Sequence, residues 1–373
     1  MEVKDDERPM GSGGDVRPRR VHGGDIYSAS ARLGFKEEDI LDFSANVNPL
    51  GPSRAAKRAA RKALSRVALY PDPEMRDVRR AVARYFGVKP EHVVCGNGAT
   101  ALIHMIPRIL KPGRVLIPSP TFAEYAAAVV DAGGDVVDFP LNESSGFGID
   151  PVEMAFAMKG VDMAILCNPN NPTGRLVPKS DMIEILNYAR GHGVTVVLDE
   201  AFIDFTESES LVKEAAAFRH LICLRAFTKF FGIPGLRVGC AVAHEDIADL
   251  LRACQEPWPV STPASHAVIA SLSDWRYIKK TRALIQRERE RMLSALRLLP
   301  GVETFPCSAN FILVKFSART EQGIAHELRL RGILVRDCSS FPGLDERYIR
   351  IAVRGRRENE RLLSALRRIL IPS

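Results

Sequence analysis

Short apolar runs alternate with helical stretches along most of this 373-residue chain. The runs are bounded by turn residues and contain many β-branched side chains, and amphipathic stretches such as 179–192 lie between several of them. Buried strands that alternate with helices are typical of a doubly wound, mostly parallel sheet. The pattern therefore predicts an α/β fold, with strands in the runs 115–117, 135–139, 163–167, 195–198, 221–224 and 238–242.

The pattern changes after about residue 275, where a long basic helix is followed by apolar runs at 311–315, 333–336 and 348–353 and by a final helix. This order predicts a smaller α+β domain. Helices are predicted at 54–66 and 76–86. We expect a flexible arm at 1–20, an N-terminal segment at 21–68 that contributes to the small domain, a large domain at 69–270 and the small domain at 271–373.

Composition excludes several classes of protein. No apolar run approaches the roughly 20 residues that a membrane helix needs, and the acidic N-terminus is not followed by an apolar stretch typical of a secretory signal. The seven cysteines are scattered and form no CxxC pair. Neither a disulfide framework nor a metal site is predicted, and buried free thiols in a reducing compartment are expected. We predict a cytoplasmic location, away from the membrane.

Positive charge is concentrated near the C-terminus. The chain has a net charge of +7, and residues 275–373 hold 21 Lys and Arg against 10 Asp and Glu. Such a segment could contact nucleic acid or bind a small anion. Its arginines are interleaved with apolar residues at helical spacing, which is typical of a solvated helix face. We therefore expect no nucleic-acid partner and favour an anionic small-molecule substrate.

Polar segments follow several predicted strands, where doubly wound sheets bind their ligands. Cys95-Gly-Asn-Gly-Ala-Thr100 precedes an apolar helix, so its backbone N–H groups could hold an anion. Alone, this segment is equally typical of an ordinary helix start. Cys167-Asn-Pro-Asn-Asn-Pro-Thr-Gly174 closes another strand with a rigid, amide-rich turn.

Two further segments carry ionisable groups. Asp199-Glu200 ends the strand at 195–198, where a buried carboxylate needs a partner. Lys229 lies among Phe227, Phe230 and Phe231, and apolar surroundings lower the pKa of a lysine toward that of a usable amine. The alternatives are a helix cap for the carboxylate and a surface position for the lysine.

These segments together supply what one cofactor requires. Pyridoxal 5'-phosphate needs a lysine for its aldehyde, a carboxylate for its ring nitrogen, a donor for its ring oxygen and a cradle for its phosphate. The chain offers Lys229, Asp199 and Asn171 for the first three. The cradle would be formed by Gly98, Ala99, Thr100, Thr228 and Arg237.

With NPNNPTG, DEA and TKxFxxPGLRxG in this order, the sequence resembles the fold-type I pyridoxal-phosphate enzymes of the class I/II aminotransferase superfamily. The resemblance covers residues from about 21 to the C-terminus. It implies that Lys229 binds the cofactor covalently and carries a proton, and that Asp199 keeps the ring nitrogen protonated. It also implies that Phe122 stacks on the ring and that Tyr70 reaches the phosphate of a neighbouring subunit in a homodimer. Phe202 lacks the hydroxyl that many relatives place there, so Asn171 would bind the ring oxygen without it.

Two families within the superfamily compete, the histidinol-phosphate aminotransferases and the L-threonine-O-3-phosphate decarboxylases of cobalamin biosynthesis. The second resemblance is closer, through His22-Gly-Gly-Asp, residues 42–52, Thr121-Phe-Ala-Glu-Tyr125, residues 199–205 and residues 336–344. It implies that His22, Asn46, Asn171, Arg336 and Arg350 bind a phosphorylated amino acid, with Arg354 a weaker candidate.

The residues are compatible with three functions. Decarboxylation of O-phospho-L-threonine would give CO2 and (R)-1-amino-2-propanol O-2-phosphate, whereas removal of the Cα proton would lead to transamination. Which bond at Cα breaks depends on which one stands perpendicular to the cofactor ring, and residue identity does not fix this angle. The third function is that of a catalytically silent binding protein. It is disfavoured because the cofactor residues are all present, namely Lys229, Asp199, Asn171 and Arg237. We predict the decarboxylase, with the aminotransferase as the alternative.

Overall fold

The computed structural model describes residues 22–317 and 323–371, and the predicted arm at 1–20 lies outside these ranges. Its strands are β1 (Leu41–Asp42), β2 (Val93–Gly96), β3 (Arg114–Ser119), β4 (Asp135–Pro140), β5 (Met163–Cys167), β6 (Thr195–Asp199), β7 (Leu221–Ala226), β8 (Gly239–Ala243), β9 (Val302–Thr304), β10 (Phe311–Phe316), β11 (Ile333–Leu334), β12 (Arg336–Asp337) and β13 (Tyr348–Ala352). Its helices are α1 (Ile26–Leu33), α2 (Arg54–Ala63), α3 (Arg76–Phe86), α4 (Gly98–Leu110), α5 (Glu124–Asp131), α6 (Pro151–Ala157), α7 (Lys179–Gly191), α8 (Val212–Ala217), α9 (Phe227–Phe230), α10 (Glu245–Ala253), α11 (Thr262–Leu272), α12 (Trp275–Leu296), α13 (Ile324–Arg329) and α14 (Arg356–Leu370).

A seven-stranded sheet in the order β2-β8-β7-β6-β5-β3-β4 forms the centre of the molecule. Six strands run in the same direction, and only β8 is antiparallel to its neighbours β2 and β7. All five residues of β5 are buried, as expected of a central strand covered by helices on both faces. The mostly parallel sheet predicted from the sequence is therefore confirmed.

Two strand predictions need correction. The run at 135–139 was expected to be buried, but β4 lies at the edge of the sheet, where only β3 pairs with it. All six of its residues are exposed or half-buried. The run at 333–336 was expected to form one strand, but it divides into β11 and β12, which pair in different sheets. Strand β2, a buried strand of four residues, was not predicted.

The C-terminal part of the chain contains a four-stranded antiparallel sheet in the order β12-β13-β10-β9. The N-terminal segment reaches this part of the fold, because β1 pairs in parallel with β11. Helix α2 packs instead against α11 of the central region. The division into domains at 68 and 270 stays a prediction.

All seven cysteines are free, and Cys95, Cys167, Cys223, Cys240 and Cys338 are buried. These five pack as small apolar side chains, the role expected for most of the cysteines, whereas Cys254 is exposed and Cys307 is half-buried. Among the residues that the structure describes, no helix combines the length and the apolar character needed to cross a membrane.

Candidate active site

A cavity of about 600 Å³ opens where the carboxyl ends of the parallel strands meet. Loops that follow β2, β3, β5, β6 and β7 all contribute to its wall, which is where doubly wound sheets bind ligands. Most of the residues predicted from the sequence line it, namely His22, Asn46, Ala99, Thr100, Phe122, Asn171, Asp199, Thr228, Lys229, Arg237, Arg336 and Arg350. Gly98 lies next to this set, and Tyr70 lies outside it.

Lys229 enters the cavity from α9, a single helical turn that follows β7 directly. The aromatic side chains of Phe227, Phe230 and Phe231 are fully buried around this turn. Burial lowers the pKa of Lys229 to about 8, and the positive charges of Arg350 and Arg237 act in the same direction. An amine with this pKa is available both as a nucleophile and as a proton carrier near neutral pH.

Asp199 ends β6 and is almost completely buried. Its Oδ2 accepts a hydrogen bond of 2.7 Å from the Tyr125 hydroxyl, and its Oδ1 accepts one of 2.9 Å from the Ala201 amide. Burial raises the pKa of this carboxyl, whereas the two hydrogen bonds and the charge of Lys229 lower it. The carboxylate is thus prepared to face a cation, such as a protonated ring nitrogen.

Glu200, the next residue, has a different role because successive strand side chains point to opposite faces. Its carboxylate accepts hydrogen bonds from Ser210 Oγ at 2.6 Å and from the Leu211 amide at 2.7 Å. It also pairs with the buried Arg225 at 3.3 Å, on the side of the sheet away from the cavity. Only Asp199 of this acidic pair serves the candidate site.

Helix α4 begins at Gly98 and presents its first amides to the cavity at Ala99 and Thr100. The first N–H groups of a helix have no partner within it, so they form an anion-binding surface. Gly98 has a φ of +75°, and a Cβ there would lie 2.6 Å from Arg237 Nη2. Gly239 allows an equally close approach, since its Cβ would lie 2.6 Å from the Ala99 amide. Gly98 makes room for the guanidinium, and Gly239 lets β8 approach the backbone at the helix start.

Arg336 and Arg350 are directly opposite each other on the antiparallel pair β12 and β13, and both are buried. Arg350 donates to Asn171 Oδ1 and to the Ser44 carbonyl, the latter at 2.7 Å. Burial lowers the pKa of Arg350 to about 10, and the charge of Arg336 adds to this effect. Arg350 remains charged at neutral pH. Within residues 22–317 and 323–371 its partners are amide and carbonyl oxygens rather than a carboxylate, and its Nε has no hydrogen-bond partner.

The remaining predicted residues occupy the wall and the mouth of the cavity. Asn46 is buried, and its Oδ1 has no hydrogen-bond partner in the described part of the chain. His22 lies over Phe122, with 5.8 Å between the ring centroids. Arg354 is not a lining residue: it pairs with Glu358 at 2.7 Å and donates to the Asp42 carbonyl.

Tyr70 is 78% exposed and stacks on Trp258, with 4.3 Å between the ring centroids. Leu64, Val67 and Leu69 nearby in the chain are also exposed. Groups of exposed apolar side chains of this kind are typical of interaction surfaces.

Sequence reasoning missed Tyr125 and Glu124 as site residues. Both belong to the quoted segment Thr121–Tyr125, and both line the cavity. Tyr125 follows Phe122 by three residues at the start of α5, so one helical turn brings the two rings into contact at 5.5 Å. The spacing of three residues from Phe122 could have identified Tyr125 as a residue of the site.

The site fits pyridoxal phosphate on its own geometry. A lysine of lowered pKa and a buried carboxylate line the same cavity, and the start of α4 offers free amides beside Arg237 and Thr228. The unpartnered Asn46 Oδ1 and Arg350 Nε indicate room for a polar ligand as well.

Comparison with known proteins decides the family. The family model for aminotransferase class I and II matches residues 38–369 of this chain. The chain belongs to this family. It is a pyridoxal-phosphate-dependent enzyme with the fold-type I architecture expected from the sequence.

Relatives within this aminotransferase family include both predicted branches. The threonine-phosphate decarboxylase of Salmonella typhimurium is 36% identical, over 94% of this chain and 96% of its own. The histidinol-phosphate aminotransferase 2 of Archaeoglobus fulgidus is 35% identical, over 90% of this chain and 94% of its own. The crystal structure of L-threonine-O-3-phosphate decarboxylase from Porphyromonas gingivalis superposes with a TM-score of 0.79 at 30% identity, covering 89% and 99% of the two chains. The predicted resemblance to these decarboxylases is confirmed.

Proposed function

We propose that the chain decarboxylates O-phospho-L-threonine to (R)-1-amino-2-propanol O-2-phosphate and CO2, which would supply the aminopropanol arm of cobalamin. The observation that carries this proposal is the pair of buried arginines, Arg336 and Arg350, on facing positions of β12 and β13. The similarity to threonine-phosphate decarboxylases supports the choice of reaction.

The arginine pair favours a substrate with two anionic groups. Like charges opposite each other on neighbouring strands destabilise a sheet, and a buried charge without a counterion is costly. In the described residues, Arg350 faces the like charge of Arg336 and is buried without a counterion. A substrate that carries a phosphate and a carboxylate would bring two negatively charged groups to this pair of arginines, and planar forks suit both of these anions.

Different residues of the cavity would bind the ring and the phosphate of the cofactor. When bound, pyridoxal phosphate supplies a ring that withdraws electrons from a bond at the substrate Cα. Asp199 would stabilise the proton on the ring nitrogen, and Asn171 would donate its amide NH2 to the ring oxygen. Ala99, Thr100, Thr228 and Arg237, next to Gly98, would hold the cofactor phosphate.

The arginines would determine which bond breaks. Held by Arg336 and Arg350, with His22 and Asn46 nearby, the substrate would present its Cα–carboxylate bond perpendicular to the ring. The carboxylate leaves as CO2, and its bonding electrons stay with the Cα side. Lys229 then returns a proton to Cα, a task that suits an amine with a pKa of about 8.

Histidinol-phosphate aminotransferase is the second candidate, because a relative with that name is nearly as similar, at 35% identity. Histidinol phosphate carries a phosphate and no carboxylate, so it would bring one anionic group to the pair of arginines. Its amino-group acceptor, 2-oxoglutarate, would bring two carboxylates to the same arginines.

Paired substrate assays with the cofactor-loaded enzyme distinguish the two. We would measure CO2 from O-phospho-L-threonine, O-phospho-L-serine and L-threonine without a 2-oxo acid, and glutamate from histidinol phosphate plus 2-oxoglutarate. The proposal predicts CO2 from the first substrate, with a kcat/KM at least about 100-fold above that for L-threonine, which lacks the charged group that the arginines bind. Lys229→Ala is the blank. Glutamate formation without CO2 would establish the aminotransferase instead.

We propose further that the enzyme acts as a cytoplasmic homodimer in which Tyr70 of each subunit completes the cofactor site of the other. The exposed apolar group of Leu64, Val67, Leu69, Tyr70 and Trp258 supports a dimer surface. The free thiols support a reducing compartment. Sedimentation equilibrium tests the dimer: a mass of 41.2 kDa, that of one chain, would contradict it.

A further inference from the structure

A carboxylate shared by two imidazoles lies at the mouth of the cavity. Glu124, the first residue of α5, is buried and lines the cavity. Its Oε1 is 3.0 Å from His22 Nε2, and its Oε2 is 2.9 Å from His104 Nε2. His104 belongs to α4, and its Nδ1 is 3.8 Å from Asp131 Oδ2 at the end of α5. One carboxylate therefore connects α4, α5 and the segment before α1.

The chemistry of these contacts fixes how His22 can act. An ionised carboxylate only accepts hydrogen bonds, so His22 Nε2 carries the hydrogen that points to Glu124. The other ring nitrogen, Nδ1, can donate to an anion only when it is protonated too, which makes the ring cationic. Glu124 thus fixes which edge of the His22 ring is left for a ligand.

Position matters as much as charge. About half of the His22 side chain is exposed, whereas only 7% of the Glu124 side chain is. An imidazole on a half-exposed segment loses rotational freedom when it binds a ligand, at a cost in free energy. The buried carboxylate holds the ring over Phe122 in advance, and His104 holds the carboxylate in turn.

We propose that Glu124 is a positioning residue that orients His22 toward the phosphate of the substrate. This inference rests on the proposed function only in its assumption that His22 contacts a phosphate monoester. Glu124 acts through His22 and takes no part in breaking the bond at Cα. Its loss should therefore weaken the binding of phosphate without slowing the chemical step.

The test is a double-mutant cycle in the cofactor-loaded enzyme with Glu124→Gln, His22→Ala and the double variant. Gln keeps the shape of the side chain but removes the charge. We expect Glu124→Gln to raise KM for O-phospho-L-threonine about tenfold, the usual effect of weakening one charge-assisted hydrogen bond, and to change kcat less than about threefold. In the His22→Ala background the same substitution should have no effect on KM. Glu153→Gln, on the exposed side of α6, is the matched control.

A second measurement keeps the inference independent of the reaction. Calorimetric titration of each loaded variant with inorganic phosphate, at a pH and salt concentration held constant, reports on the anion site even if no CO2 is released. If the enzyme does not decarboxylate O-phospho-L-threonine, the phosphate affinities of the wild type and the three variants can still be compared. An unchanged phosphate affinity in Glu124→Gln, or an equal loss with and without His22, would overturn the role of Glu124. A loss of cofactor content or thermal stability that accounts for the weaker binding would overturn it as well.

Discussion

Substitution of Tyr125 by Phe tests how the fold prepares Asp199. The change removes only the hydroxyl that donates to Asp199 Oδ2 at 2.7 Å, in a position that is almost completely buried. Burial and the nearby carboxylate raise the pKa of Tyr125 well above its usual value, so the hydroxyl keeps its proton and donates throughout the working pH range. The variant leaves the Ala201 amide as the remaining donor to this carboxylate in the described structure.

The magnitude follows from the type of bond. A hydrogen bond to a charged group contributes about 1.5–3 kcal/mol, and each 1.36 kcal/mol is a factor of ten. We therefore expect kcat/KM to fall about 10- to 100-fold and the dissociation constant of pyridoxal phosphate to rise. Because the lost bond favoured the ionised form of Asp199, its pKa should move further upward. The acid limb of the pH–rate profile should consequently shift to higher pH.

The assay combines steady-state kinetics between pH 5 and 9 with spectrophotometric titration of the cofactor. Tyr188→Phe removes a hydroxyl from α7, away from the cavity, and is the matched control. Wild-type kcat/KM, cofactor affinity and acid limb in Tyr125→Phe would refute the reasoning, because they would mean that Asp199 needs no support from this hydroxyl.

Three further predictions concern the cofactor site. Lys229→Met should stabilise the cofactor-free protein by about 1–3 kcal/mol at pH 7, because burial lowers the pKa of Lys229 from 10.5 to about 8 and the charge must be carried below that pH. Between pH 8 and 10.5 the lysine holds a proton in the unfolded protein but not in the folded one, so the wild type becomes more stable as pH rises. Urea denaturation should therefore show the stability gain of Lys229→Met shrinking over this range. A gain that is constant with pH would contradict the prediction. Gly98→Ala should weaken cofactor binding at least about tenfold, since the added Cβ would lie 2.6 Å from Arg237 Nη2 at a left-handed φ, and equilibrium dialysis with normal cofactor affinity would count against the cradle. Mixing inactive Tyr70→Ala with inactive Lys229→Ala after subunit exchange should restore about a quarter of wild-type activity, because half of the dimers would be hybrids with one intact site; no recovery would mean that each subunit completes its own site.

The sequence predicted the central sheet because its buried strands are uninterrupted apolar runs between helices. It predicted the cavity because each motif follows a strand, and parallel strands end at one edge. Strand β2 was missed because Val93–Gly96 is too short to stand out from the loop that follows it. The exposure of β4 was missed because order across the sheet, which places β4 at the edge, is not visible in a local pattern.

Within the site, the sequence identified residues by motif and missed those that act through a second contact. Tyr125 and Glu124 end the quoted segment Thr121–Tyr125 and begin α5, and their direction depends on how α5 packs against α4 and β3. The facing positions of Arg336 and Arg350 arise from the register of β12 and β13, across 14 residues of sequence. Such pairings depend on tertiary structure, which local propensity does not specify.

The most direct test of the proposed reaction uses O-phospho-L-threonine labelled with ¹³C in its carboxylate. The loaded enzyme is incubated with this substrate in the absence of any 2-oxo acid, and the label and the phosphorus are followed by NMR. The account predicts that all of the label appears as CO2 and bicarbonate, in a one-to-one ratio with an aminopropanol phosphate and over many turnovers. Label that stays in a phosphorylated 2-oxo acid, formed once per cofactor and no further until a second 2-oxo acid is added to accept the amino group, would contradict it and identify a transaminase.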